Sequence, residues 1–472
     1  MSTVILERST RSAWVSGAGY SLMLAAAFGL FLLIRAAGNQ LEAPLALPVP
    51  TGKSATPGEA SVNVIVHILA TLAVVIGVGQ LLGRILLWVG QPPVIGQVLA
   101  GILLGPSVLG AISPTAMHAL IPDPSADPRG QVTAAISAIA QLGVVLYMFL
   151  VGLELNAAKL KHEASSAIAI SHAGIVVPFI FGAALALWLY PSVASRDVSF
   201  TSFALFLGAA MAVTAFPVLA RILADRGLAK SELGVMALGC AAADDVTAWC
   251  LLAFVVGVAQ AELGAAAWVI VGAVAFIAAM FFFVRPIAER IAARFDDGPL
   301  PAAAIPGLLG AVLVSALITE VIGIHAMFGA FLLGVVIPHD SRIAREVTAR
   351  FTDVVTVLML PAFFALTGMR TQIGLMNEWE LWFFCGIIIL VATAGKLGGT
   401  AVAARLTGYS WRTSAALGVL MNTRGLMGLI VLNVGLSLGV ISPTLFAMLV
   451  IMALVTTLAT APLLDRLIRE PS

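Results

Sequence analysis

The chain has 472 residues, 60% of them hydrophobic and 10% charged, where a typical soluble domain carries about 25% charged residues. A mean hydropathy of +1.06 excludes a soluble globular domain, and with a formal net charge of +1 and no basic block nothing suggests a nucleic-acid partner. What remains is an all-α polytopic membrane protein, and its three cysteines, Cys240, Cys250 and Cys385, lie inside apolar runs and read as small core residues.

Apolar runs of a length that crosses a bilayer as helix fall at 13–35, 61–85, 92–110, 132–153, 164–189, 200–223, 231–258, 264–284, 302–320, 323–337, 352–369, 381–405, 411–438 and 442–466. They predict fourteen spans. The first follows Arg8 and Arg11 like a signal peptide, but its length and the lack of a cleavage site favour a retained helix. Residues 36–60 read as an extended outer linker, and 111–131, rich in Pro, Asp and Ala, as an outer loop. With these spans, eighteen of the 25 basic residues fall on one side and five on the other. Because cytoplasmic loops are enriched in Lys and Arg, both termini are expected in the cytoplasm, at the plasma membrane. The chain stops soon after its last span, so no soluble regulatory or nucleotide-binding domain is expected.

The seventh span carries Asp244 and Asp245 near its middle. A carboxylate at that depth costs about 2.5–3.5 kcal/mol on insertion scales and marks an ion or proton path by default. Consecutive helical positions diverge by about 100°, so the two acids cannot share one partner and have separate tasks. The two basic residues left inside spans are Lys396, in Ala394-Gly-Lys396-Leu-Gly-Gly-Thr400, and Arg424, in Asn422-Thr423-Arg424-Gly425. Counted along their helices, both come near the depth of Asp244, so two acids balance two bases. If two protons are exchanged for one cation, a second proton carrier is needed. Lys396 can serve, whereas a guanidinium does not deprotonate, which leaves Arg424 to offset the carboxylates and brace its own helix.

Two spans show signs of being broken. The sixth contains Thr214-Ala-Phe216-Pro217, whose proline removes a helical hydrogen bond; the thirteenth contains Asn422, Thr423 and Gly425 at similar depth. They are seven spans apart. Spans two to seven and nine to fourteen thus form two sets of six, and the odd offset inverts one relative to the other, as in many secondary transporters. The expected organisation is an extra helix and linker over 1–60, a first repeat over 61–263, a linker helix and cytoplasmic loop over 264–301, and a second repeat over 302–472. Glu154, Glu320, His67, His172 and His325 are scattered and read as packing or interfacial residues.

From about residue 92 to 440 the chain resembles the second branch of the monovalent cation:proton antiporter superfamily, which includes plant cation/proton exchangers, fungal potassium/proton exchangers and glutathione-gated potassium efflux systems. The motifs are Gln91-Pro-Pro-Val-Ile-Gly-Gln97, Gly101-Ile-Leu-Leu-Gly105-Pro106-Ser107, Phe149-Leu-Val-Gly152-Leu-Glu154, Thr214-Ala-Phe-Pro217, Ala243-Asp244-Asp245-Val-Thr-Ala-Trp249, Gly323-Ile-His325-Ala-Met-Phe-Gly329, Lys396 and Asn422-Thr423-Arg424-Gly425. The resemblance implies a core of spans five to seven and twelve to fourteen, a dimerisation or scaffold domain from the rest, and a homodimer. It implies that Asp245 binds cation and proton alternately, that Asp244 pairs with Lys396, and that Thr214 lines the site.

The function expected is exchange of Na⁺ or K⁺ for protons by alternating access, with no cofactor and no enzymatic activity. A carboxylate suits it because it takes either a hard cation or a proton. The alternative is a sodium-coupled solute symporter, which needs an organic-substrate pocket that the sequence does not display. An intramembrane aspartyl protease needs two aspartates facing each other, and neighbouring Asp244 and Asp245 point apart; a channel needs a continuous pore.

Overall fold

The structure, a computed structural model, describes residues 2–39, 41, 63–123, 127, 130–154, 164–195, 198–228, 231–260, 263–295, 301–323 and 325–468. Most of the linker expected at 36–60 lies outside the described residues, as do parts of the loop at 111–131 and the basic residues Lys53, Arg129, Lys159, Lys161, Arg196, Lys230 and Arg469.

The described chain is helical. In order come α1 (Ser2–Gly38), α2 (Val64–Trp88), α3 (Pro93–Leu104), α4 (Leu109–Ile112), α5 (Pro114–Leu120) and α6 (Gln131–Glu154). Next are α7 (Ala164–Val193), α8 (Phe200–Ala212), α9 (Phe216–Asp225), α10 (Glu232–Gln260), α11 (Leu263–Ala279) and α12 (Arg285–Phe295). Then follow α13 (Ala304–Ile322), α14 (Ala326–Val336), α15 (Arg342–Asp353) and α16 (Leu360–Arg370). The last are α17 (Trp379–Leu406), α18 (Trp411–Met421), α19 (Leu426–Ser437) and α20 (Pro443–Ile468). Among the described residues, eleven helices are long and apolar enough to cross a membrane. The other three expected spans hold shorter apolar helices: α14 and the two interrupted pairs, α8 with α9 and α18 with α19.

The chain divides into two compact units. Unit 1 comprises Met1–Leu47, Leu160–Leu251 and Met376–Ser472; unit 2 comprises Pro48–Lys159 and Leu252–Leu375. Spans five, six and twelve to fourteen fall in unit 1 together with the first span, as does span seven up to Leu251. The grouping therefore cuts through both expected repeats.

In unit 2, α6 packs on α14, and α3 on α2 and α16. Gly152 of the resemblance motifs permits close backbone approach, since a Cβ there would sit 2.3 Å from the carbonyl oxygen of Phe331, whereas Gly323 ends α13 with a φ of +95° that favours glycine. At the start of α6, Asp127 accepts a hydrogen bond from the Val132 N–H at 2.9 Å, which holds its carboxyl below the usual range. This contact contributes stability above the ordinary carboxylate pKa and is lost as pH falls through the lowered value.

In unit 1, α7 packs along α17 and against α8, and α20 packs against α17, α18 and α19. The extra helix α1 lies on α7, with Tyr20 edge-on to His172 at 5.3 Å and Phe31 6.0 Å from Phe179. Nearly every residue of α8 is buried, which explains why this segment lacks an amphipathic pattern. Arg226, beyond α9, donates to Asp465 of α20 through Nε at 2.7 Å and Nη2 at 3.3 Å.

Candidate functional site

Two helices of unit 1 are interrupted, and the interruptions meet. The first spans Val213–Ala215 and the second Asn422–Gly425. Pro217 lies in the first turn of α9 rather than inside a kinked helix; its missing N–H costs nothing there, because the first donors of a helix have no intrahelical acceptor. The side chain of Pro217 lies outside what the structure describes. Gly425 immediately precedes α19, and a Cβ there would fall 2.7 Å from Val218 Cγ2 and 3.1 Å from Ala215 Cβ. Close approach, rather than backbone strain, is what requires glycine at this position.

Backbone groups freed by the breaks bond across them. The Ala215 N–H donates to the Thr423 carbonyl at 3.0 Å, and the Thr214 hydroxyl donates to the Met421 carbonyl at 2.9 Å. A helix ending in a dry interior leaves its last carbonyls without partners, a strongly unfavourable situation unless cations or donors reach them. At the end of α8 two cationic side chains do so. Arg424 donates through Nη1 to the carbonyls of Ala210 (2.7 Å) and Val213 (3.3 Å), and through Nη2 to that of Met211 (2.6 Å). Lys396 Nζ donates to the carbonyl of Ala212. Arg424, itself in the second interruption, thus caps with its guanidinium the end of the first broken helix, where the unpaired carbonyls are.

The two aspartates of α10 have different surroundings. Both are 0% exposed. Asp244 is fully engaged: its Oδ2 accepts from the Thr214 N–H at 2.9 Å and from Lys396 Nζ at 3.2 Å, with Oδ1 3.4 Å from the same nitrogen. Lys396, also 0% exposed, thus has its three donors directed at two carboxylate oxygens and one carbonyl, the complement of a protonated ammonium. Asp245 is the opposite case. Neither of its oxygens has a hydrogen-bond partner among the described residues. The amide of Phe216, first residue of α9, faces this carboxylate without closing a hydrogen bond to it. An ionised carboxylate left so is costly, so the position favours a species that brings its own positive charge, a proton or a small cation.

Further polar groups lie beside the two interruptions, and of these only Asn422 stands out in the sequence. Trp249, one turn beyond Asp245, is 1% exposed, and its indole N–H has no partner among the described residues. The Asn422 side-chain oxygen is likewise buried and unpartnered there. Thr457 on α20 holds the backbone of Arg424 from both sides, accepting from its N–H at 2.9 Å and lying 2.6 Å from its carbonyl oxygen.

Three of the other candidates make local contacts. Glu320 accepts from the Ala326 N–H at 2.8 Å at the start of α14, His67 contacts the Asn63 carbonyl at 3.1 Å, and His172 contacts the Ile168 carbonyl at 2.8 Å. The side chain of Glu154 lies outside the described residues. No group of three His, Cys, Asp or Glu side chains suited to a resident metal occurs among the described residues. Cys240 and Cys385 are buried as expected, but Cys250 is exposed; it follows buried Trp249 directly, and the rotation between consecutive helical positions turns it outward.

Residues 61–466 match the family model described as sodium/hydrogen exchanger, transmembrane. The chain is 40% identical over 413 residues to the Na(+)/H(+) antiporter NhaS4 of Synechocystis, covering 87% of this chain and 99% of that one. It is 37% identical to Cation/H(+) antiporter 17 of Arabidopsis thaliana, covering 85% of this chain but 49% of the plant protein, so it spans about half the length of that relative. The solved structure of the sodium proton antiporter MjNhaP1 from Methanocaldococcus jannaschii has the same fold, with a TM-score of 0.61 at 14% identity, covering 85% of this chain and 96% of that one.

Proposed function

The chain belongs to the sodium/hydrogen exchanger family and is a secondary active monovalent cation/proton antiporter, and from that premise we propose that Asp245 is the group that cation and proton occupy in turn. The protein is an integral, multi-pass transporter and not an enzyme, and its family excludes the symporter alternative. The observation that carries the proposal is the contrast within the aspartate pair: Asp244 is satisfied by Lys396 and the Thr214 amide, whereas Asp245 is fully buried without a hydrogen-bond partner among the described residues.

In this reading Asp244 and Lys396 form the charge pair beside the carrier, and Lys396 is the second proton carrier if more than one proton moves per cation. The Thr214 hydroxyl proton is committed to Met421, so the residue offers the cation its oxygen lone pairs only. Asn422, Thr423 and Arg424 shape the second break, with Pro217 and Gly425 beside the two interruptions. The transported ion is Na⁺ or K⁺. We also propose 61–263 and 302–472 as the inverted repeats, joined by 264–301 and preceded by the extra segment 1–60. A homodimer in the plasma membrane, with cytoplasmic termini, completes the proposal; the family resemblance supports the dimer and the distribution of basic residues supports the orientation.

A shared site makes protons competitive with the cation, and competition acts reciprocally. In reconstituted vesicles, the half-saturation constant for Na⁺ or K⁺ should rise about tenfold per unit of pH decrease while Asp245 is mostly protonated, and level off where it is mostly ionised. Fluorescence of a trapped pH dye after addition of NaCl or KCl measures this. A constant that stays flat across the whole range would separate the proton and cation sites and overturn the assignment.

A further inference from the structure

Thr457 has one hydroxyl, 1% exposed, within hydrogen-bond distance of three backbone groups. It accepts from the Arg424 N–H at 2.9 Å, and its single proton has two acceptors in reach, the Arg424 carbonyl at 2.6 Å and the Ala453 carbonyl one turn back at 2.8 Å. Arg424 lies in the interruption between α18 and α19, where its backbone has lost the regular helical partners. The hydroxyl therefore satisfies both peptide groups of one residue at the point where the chain is least self-supporting.

From that held backbone the Arg424 side chain reaches the carbonyls of Ala210, Met211 and Val213 at the end of α8. The next residue in the chain, Thr214, donates its amide to Asp244. A continuous set of bonds thus runs from α20 through Arg424 to the first break and the aspartate pair, all within unit 1.

We propose that Thr457 is a positioning residue for cation/proton exchange: it fixes the origin of Arg424, and through it the end of α8 and the geometry of the cation site. The proposal rests on the site reading given above. Neighbouring Thr456 supplies an internal control, being also buried but with its hydroxyl bonded, among the described residues, only to carbonyls of its own helix, Met452 at 2.9 Å and Ala453 at 3.2 Å.

The test compares Thr457→Val, Thr457→Ser and Thr456→Val as purified full-length proteins reconstituted at equal density, with exchange measured against NaCl and KCl concentration. Thr457→Val keeps the shape and removes the hydroxyl. It should raise the half-saturation constant severalfold and lower turnover, whereas a smaller folded fraction would lower the maximal rate alone. Thr457→Ser should restore both parameters, and Thr456→Val should stay near wild type. Adding Thr457→Val to Arg424→Met should cause no further change, since the threonine acts through the arginine. If Thr457→Val does not yield folded protein, Thr457→Cys, with a weaker donor and acceptor, takes its place and should be intermediate. An unchanged half-saturation constant in Thr457→Val, equal damage in Thr456→Val, or an additive loss in the double variant would overturn the proposal. Asp245→Asn, measured in parallel, separates this failure from failure of the site: active Asp245→Asn contradicts the carrier assignment, whereas the coupling of Thr457 to Arg424 is read independently of it.

Discussion

Asp245→Asn should reduce cation-dependent proton movement to the level of protein-free vesicles while leaving the protein folded. The amide has nearly the shape of the carboxylate but can neither take up a proton near neutral pH nor neutralise a bound cation, so both halves of the exchange fail together. Folding should survive because no hydrogen bond to Asp245 is lost; neither oxygen has one among the described residues. The variant should melt at or above the temperature of wild type, since it removes an uncompensated buried acid. Substantial flux in Asp245→Asn would mean that the carrier lies elsewhere.

The neighbouring pair should respond in the opposite way. Lys396 and Asp244 are both 0% exposed and 3.2 Å apart, and removing one partner of such a pair leaves a buried charge uncompensated, at a cost of about 3–5 kcal/mol. Lys396→Gln leaves the Asp244 carboxylate with the Thr214 amide but no cation, and Asp244→Asn leaves the ammonium with the Ala212 carbonyl but no anion. Each single variant should therefore melt well below wild type. The double variant, in which neither member of the pair is left charged without the other, should be more stable than either single one. Thermal melts of all four proteins in one detergent check this. Strictly additive losses would mean that the two side chains contribute separately and that their proximity carries little coupling.

The parts of this arrangement that carry charge were legible in the sequence, because an ionisable group in an apolar run stands out against everything around it. Asp244, Asp245, Lys396 and Arg424 could be placed near one depth by counting residues, and the resemblance proposed which acid pairs with the lysine. The acceptors were not legible. Arg424 serves carbonyls of residues 210, 211 and 213, and a backbone carbonyl has no signature in the sequence; only the ending of α8 makes these available. Pro217 marked the first interruption to within a few residues, and the break lies ahead of it because proline fits the first turn of α9. Thr457 was hidden among Thr456 and Thr460 in an apolar helix, where a threonine that bonds its own turn looks the same as one that grips another segment. The tenth expected span was found as an apolar run at 323–337, but its helix is the short α14.

The most direct measurement of the central claim is proton release on cation binding. Purified protein in weakly buffered detergent solution, titrated with NaCl or KCl at a pH where the carrier is largely protonated, should release protons in proportion to cation bound. Asp245→Asn under the same conditions should release none. Wild-type proton release from Asp245→Asn, or cation binding to wild type with no proton released at any pH, would contradict the claim that one carboxylate holds the two ions in turn.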